Sequence, residues 1–183
     1  MEYVLLFLTD GVLGYFLQGV GYLLGVYAFV KRKITAREFI PMAIAYGLVA
    51  FGIRRIGVIS FGFHTILIMI TIILLAVLLL KTPAFMTVVG VLTASVAILL
   101  AEIINIFILN GVLGHQQMAA IMAGDGTITG EINKAVAGIP TNLILVLAMF
   151  IFYTLRMKRK KESSCHGETG SQLGTEDRDG TGR

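Results

Sequence analysis

Six residues carry chemistry that an apolar chain rarely tolerates without a reason: Asp10, Arg54, Arg55, His64, Glu102 and Asn105. All lie within long apolar runs or at their ends. An ionisable group at the centre of a membrane helix costs about 2.5–3.5 kcal/mol on insertion scales, so each one needs a partner or a task. An arginine and a carboxylate at the same depth offset one another through charge-assisted hydrogen bonds. Arg54 and Arg55 are therefore expected to answer Glu102 or Asp10. Ser95, Glu102 and Asn105 are separated by seven and three residues, which puts them on one helix face, with Gly90, Ala94, Ala97 and Ala101 as a small-residue stripe beside it. Asp10, Gly14, Gln18, Gly21 and Gly25 share a face in the same way. The two faces are expected to pack closely, with the polar one looking into the bundle. Such a cluster can lock a helical bundle, line a ligand pocket open to the outside, or relay protons or ions. Residue types alone leave these three open.

Other chemistries find little support. His64 has no second histidine or cysteine at ligand spacing, so a hydrogen bond to a backbone carbonyl or to Glu102 is expected in place of a metal. His115 and His166 read as solvated. Cys165 stands alone in a polar tail and cannot build a disulfide framework. Gly124, Asp125 and Gly126 lack the lysine of a phosphate loop and the carboxylate series of a calcium loop. No nucleophile sits beside a base. The expectation is a protein without catalysis, cofactor or metal.

The elements that must position the cluster follow from composition. Over 183 residues the chain is 56% hydrophobic and only 14% charged, with a mean hydropathy of +0.85. It reads as an all-α integral membrane protein. Apolar segments cover 4–30, 39–53, 61–80, 85–109 and 139–155. The second is short, but extending it over 38–56 with Arg54 and Arg55 snorkelling gives a full crossing, and Pro41 is tolerated in its first turn. A bundle of about five transmembrane helices is expected over 1–161, the first span being retained because no basic start precedes it. Residues 162–183 are polar, without aromatics, and are expected to form a disordered cytoplasmic tail. Between the fourth and fifth spans, a short helix over 115–123 is expected on the outer face.

Basic residues set the orientation. With the N-terminus outside and the C-terminus cytoplasmic, Lys31, Arg32, Lys33, Arg37, Lys81, Arg156, Lys158, Arg159, Lys160 and Lys161 fall inside, against Arg54, Arg55 and Lys134 outside. A four-span arrangement would separate the two large basic clusters. The net charge of +4 is thus membrane topology, and no nucleic acid is expected as a partner.

Residues 54–109, "RRIGVISFGFHTILIMITIILLAVLLLKTPAFMTVVGVLTASVAILLAEIINIFIL", resemble the membrane sensor region of Gram-positive sensor histidine kinases of the accessory-gene-regulator and sporulation-kinase type. The resemblance rests on arginine ahead of Phe61, Gly62, His64 and Thr65, on the Lys81 and Pro83 hinge, and on Glu102 ahead of Asn105. It implies a multi-span domain of a bacterial inner membrane that senses an extracellular peptide or small molecule and signals through its last helix. A histidine kinase or another membrane subunit would be the partner, beside the lipid bilayer. No phosphoacceptor helix or ATP-binding domain follows Leu155, so a stand-alone or truncated sensor is implied. The alternative, by architecture alone, is a small-solute transport component of the substrate-capture type.

Overall fold

A computed structural model describes residues 6–55, 63–123 and 127–169, and these are helical apart from short connections. In chain order the helices are α1 (Phe7–Val30), α2 (Ala36–Arg55), α3 (Phe63–Leu79), α4 (Ala84–Leu113), α5 (His115–Ala123) and α6 (Ile128–Thr169). Runs of Leu, Ile, Val and Phe leave the backbone no water to bond in a bilayer, and a helix satisfies it internally. Four helices are long and apolar enough to cross a membrane: α1, α2, α4 and α6. The short second segment is among them. The third segment, expected to cross over 61–80, forms the shorter apolar helix α3 of 17 residues; residues 61 and 62 lie outside the described residues.

α1 is the hub. Every residue from 21 to 28 is buried, and 59% of its apolar window lies inside the molecule, against 33%, 28% and 22% for α2, α4 and α6. The reason is its neighbours: α4 and α6 pack along it and on each other, α2 lies on another side, and α3 closes the gap between α2 and α4. Glycines let three of these approach. A methyl group on Gly19 would meet Tyr46 of α2, one on Gly21 would meet Leu145 of α6, and one on Gly25 would meet the Gly90 carbonyl of α4. The close packing expected between the first and fourth segments is present at Gly25 and Gly90. The core around it holds Tyr15, Tyr22, Tyr27, Tyr46, Ile72 and Leu145. Outward faces carry exposed Leu48, Leu74, Phe107 and Leu147, an apolar belt larger than a water-soluble monomer ordinarily shows.

Local signals fix the ends. Thr35 accepts the backbone N–H groups of Glu38 and Phe39 at the start of α2. Lys31 adopts a left-handed conformation, φ +53°, that closes α1 with its N–H on the Tyr27 carbonyl, and Lys81, φ +52°, follows the end of α3. Gly114, φ +80°, separates α4 from α5, and α5 occupies the span expected for it. The first half of α1, Phe7–Tyr15, is a π-helix, a wider winding that often marks functional sites.

Three boundaries differ from expectation. α2 begins at Ala36, so Pro41 falls beyond the first turn. α6 begins at Ile128 and carries Pro140 within it, so the last span is only part of a 42-residue helix. Membrane helices accept an internal proline where neighbouring helices and side chains satisfy the freed backbone. The helix also continues to Thr169, beyond the expected domain boundary at 161. Lys, Arg, Met and Glu are good helix formers, and the run 156–162 consists of them. The remaining tail, 170–183, lies outside the described residues.

Candidate functional site

Of the expected cluster, the backbone at residues 10, 54, 55 and 64 lies toward one end of the bundle. Phe51 of α2 packs edge-on against Phe7, ring centroids 5.2 Å apart, and contacts Gly11. Residue 51 is thereby level with the π-helical start of α1 that holds Asp10, and residues 54 and 55 follow one turn further along α2. At its other extremity α3 is held by Arg32, which donates to the Leu80 carbonyl at 2.7 Å, so the first turn of α3, with His64, lies at the end shared by Asp10, Arg54 and Arg55. The side chains of these four lie outside the described residues.

Asn105 and Glu102 separate. The buried line of α4 runs through Thr87, Gly90, Val91, Ala94, Ala101 and Asn105. Asn105, 3% exposed, donates its Nδ2 to the Ala137 carbonyl of α6 at 2.7 Å, while its Oδ1 is buried without a partner. Glu102 is exposed. The expectation that Ser95, Glu102 and Asn105 all look inward is thus only partly met, because Glu102 is turned about 100° from Ala101 while Asn105 follows Ala101 by four residues on one face. Ser95 is half-buried and donates to the Val91 carbonyl at 2.9 Å, with the Tyr22 hydroxyl 3.3 Å from its Oγ.

One polar contact at this end escaped the sequence reading. Asn142 of α6 donates its Nδ2 to the Gly14 carbonyl at 3.2 Å, in the π-helical stretch of α1. Asn142 and the Asn105 acceptor Ala137 bracket Pro140, so α6 is tied to α1 and to α4 on either side of its proline. The signal was available: an amide two residues after a proline inside an apolar run. Among the described residues no group of three His, Cys, Asp or Glu could hold a metal ion.

At the opposite end lies a second constellation, read from sequence only as topology. Arg32 forms an ion pair with Glu38 in addition to its bond to Leu80. Tyr153 of α6 donates its hydroxyl to the Arg32 carbonyl at 3.3 Å and accepts the Ile34 N–H at 3.2 Å. Arg156, one turn on, lies over the Phe29 ring at 4.4 Å and the Phe152 ring at 5.6 Å. The connection between α1 and α2 is thereby fastened to the C-terminal end of α3 and to α6. Lys31, Arg32, Lys33, Arg37, Lys81, Arg156, Lys158 and Arg159 all collect at this basic end. Thr82 and Thr87 share a hydroxyl contact of 2.8 Å beneath it, Thr82 also donating to the Ala76 carbonyl at 2.9 Å.

The arrangement joins a polar end and a basic end through helices that run between them. Comparison with known proteins adds no relative: no family model, curated protein or solved structure matches the chain.

Proposed function

We propose that the chain is a non-catalytic, signal-sensing domain of a bacterial inner membrane, its five apolar helices α1, α2, α3, α4 and α6 all crossing the bilayer with the N-terminus outside. The cluster of Asp10, Arg54, Arg55, His64, Glu102 and Asn105 is then an outward-facing polar site for an extracellular peptide or small molecule. Positive-inside bias supports the orientation, because the basic end holds ten lysines and arginines, from Lys31 to Lys161, while the opposite end holds Arg54, Arg55 and Lys134.

One observation carries the sensing reading above a purely structural one: the helix that touches the polar site also leaves the membrane. α6 is a single helix of 42 residues, about 63 Å at 1.5 Å per residue, twice a hydrocarbon core of about 30 Å. Near its start it receives Asn105 and gives Asn142 to α1. Past Arg156 it projects beyond the basic end. A ligand that changes the tilt of α6 at Pro140 moves its far end, where a histidine kinase or another membrane subunit would read it.

Purification of the full chain from native membranes, with mass spectrometry of bound proteins and small molecules, tests the proposal. A signalling kinase or subunit should be recovered with the intact chain and lost when α6 is cut after Arg159. Recovery of an ATPase pair instead would make the chain a small-solute transport component and overturn the sensing reading.

A further inference from the structure

The basic end carries exposed positive charge, and it adjoins exposed apolar surface. Lys33, Arg37, Lys81, Lys158 and Arg159 are all exposed. Glu38, the carboxylate whose side chain is described there, is already engaged by Arg32; Glu162 and Glu168 follow farther along α6. Three separate segments supply the cations, and they are held in fixed relation. Arg32 binds the Leu80 carbonyl next to Lys81, and the Tyr153 hydroxyl bridges the Arg32 carbonyl and the Ile34 N–H on either side of Lys33. On α6, Arg156 lies about 60° around the helix from Tyr153, and Arg159 about 60° further in the same direction, one turn along each time. Arg156 thus lies beside the face that meets the 31–34 turn, and the exposed Arg159 follows at its outer flank.

Immediately inward of these cations the surface is apolar. Ile34, Leu79, Phe85 and Leu155 are exposed, and the Arg156 guanidinium is laid over Phe29 and Phe152 with its charge at the boundary between belt and cations. A free phosphate satisfies only the charge. An anionic phospholipid satisfies both surfaces, with acyl chains on the belt and its phosphodiester among Lys33, Arg156 and Arg159.

We propose that the rim formed by the 31–37 connection and the 153–159 stretch of α6 is a binding surface for anionic phospholipid headgroups. It rests on the reading that these helices cross a bilayer. Juxtamembrane clusters of four to eight lysines and arginines attract anionic lipid strongly enough to enrich it by roughly fivefold per cation engaged. The interaction weakens as salt shortens the screening length from about 10 Å at 0.1 M to about 3 Å at 1 M.

The test uses the full chain reconstituted in bilayers of phosphatidylcholine with a minority of phosphatidylglycerol, extracted with its nearest lipids and weighed by native mass spectrometry. Resistance to alkaline extraction first reports insertion; a chain that fails to insert in either lipid overturns the membrane reading itself. For the inserted chain, phosphatidylglycerol should be enriched at least fivefold over the bulk bilayer, and the enrichment should fall in 1 M salt. The combined variant Lys33→Gln, Lys158→Gln and Arg159→Gln should lose it while keeping the thermal midpoint measured in pure phosphatidylcholine. Inorganic phosphate added to pure phosphatidylcholine bilayers should not raise that midpoint, whereas phosphatidylglycerol should. Equal lipid ratios at the protein and in bulk, enrichment unchanged in the triple variant, or stabilisation by free phosphate matching that by phosphatidylglycerol would each overturn the proposal.

Discussion

Gly25 and Gly90 meet backbone to backbone where α1 crosses α4: a methyl group on Gly25 would lie 2.8 Å from the Gly90 carbonyl oxygen, and one on Gly90 would lie 2.8 Å from the Val26 Cα. Neither obstacle can rotate away, since both are main chain. The crossing exists because neither position bears a side chain.

Gly90→Ala should therefore destabilise the bundle by about 1–3 kcal/mol, the usual cost of overpacking. Gly52→Ala and Gly111→Ala, where a methyl group meets nothing within 4 Å, should be neutral or stabilise by up to about 1 kcal/mol through helix propensity. Thermal unfolding in one detergent compares them. A Gly90→Ala protein as stable as Gly111→Ala would mean that α1 and α4 do not cross there.

Arg32 is expected to matter more than its ion pair. Its bond to the Leu80 carbonyl is charge-assisted and worth about 1.5–3 kcal/mol, whereas the Arg32 and Glu38 side chains are 34% and 43% exposed, which limits that pair to about 1 kcal/mol. Arg32→Ala should lower the unfolding midpoint clearly, and Glu38→Gln only slightly. Similar losses in both would place the energy in the pair and leave the α3 contact unimportant.

The helices and the crossing could be read from the sequence because apolar runs and glycine spacing report directly on length and packing. What was not legible has two physical causes. Helical spacing puts Glu102 and Asn105 within one broad sector, but which edge of that sector faces inward depends on the rotation of α4 about its axis, and Ala94 and Ala101 settle it through their fit to α1 and its neighbours. Arg32 looked like one more cation in a positive cluster, since its acceptor, the Leu80 carbonyl, is a backbone atom 48 residues away that no pattern advertises. Pro140 illustrates the same limit: local rules end a helix there, and long-range bonds from Asn105 and Asn142 support one that continues.

Asn105 offers a test of that support. Replacement by alanine removes its bond to Ala137 but also removes the buried, unpartnered Oδ1, so the net loss should be small, near the roughly 0.6 kcal/mol typical of such bonds between membrane helices. Asn105→Asp is nearly the same size yet sets an acceptor against the Ala137 carbonyl, and a buried group left without a donor costs about 1–3 kcal/mol, more if charged. The expected stability order in detergent is wild type, then alanine, then aspartate. Aspartate equal to wild type would show that the amide does not donate to α6.

The last prediction concerns which way the bundle sits and whether α3 crosses with the others. Lys33 and Lys81 are both exposed at the basic end, and Val112 is exposed at the opposite end of α4. Cysteines at these positions, in a Cys165→Ser background that removes the native thiol, report their side of the membrane to an impermeant maleimide. With the N-terminus outside, Val112→Cys should label in intact cells, and Lys33→Cys and Lys81→Cys only after permeabilisation. The Lys81 position carries the most information. Because Arg32 holds the Leu80 carbonyl, α3 must run back from the level of residues 54 and 55 to that of residue 32, and its described 17 residues supply about 25 Å of that path. Lys81→Cys labelling in intact cells, with Lys33→Cys and Val112→Cys protected, would mean that α3 does not cross while α2 and α4 do, and would undo the fivefold crossing on which the outward placement of Glu102 and Asn105 depends. Agreement between Lys33→Cys and Lys81→Cys, opposite to Val112→Cys, is the result expected of α2 and α3 crossing as a pair, and the positive-inside bias then has its ordinary cause.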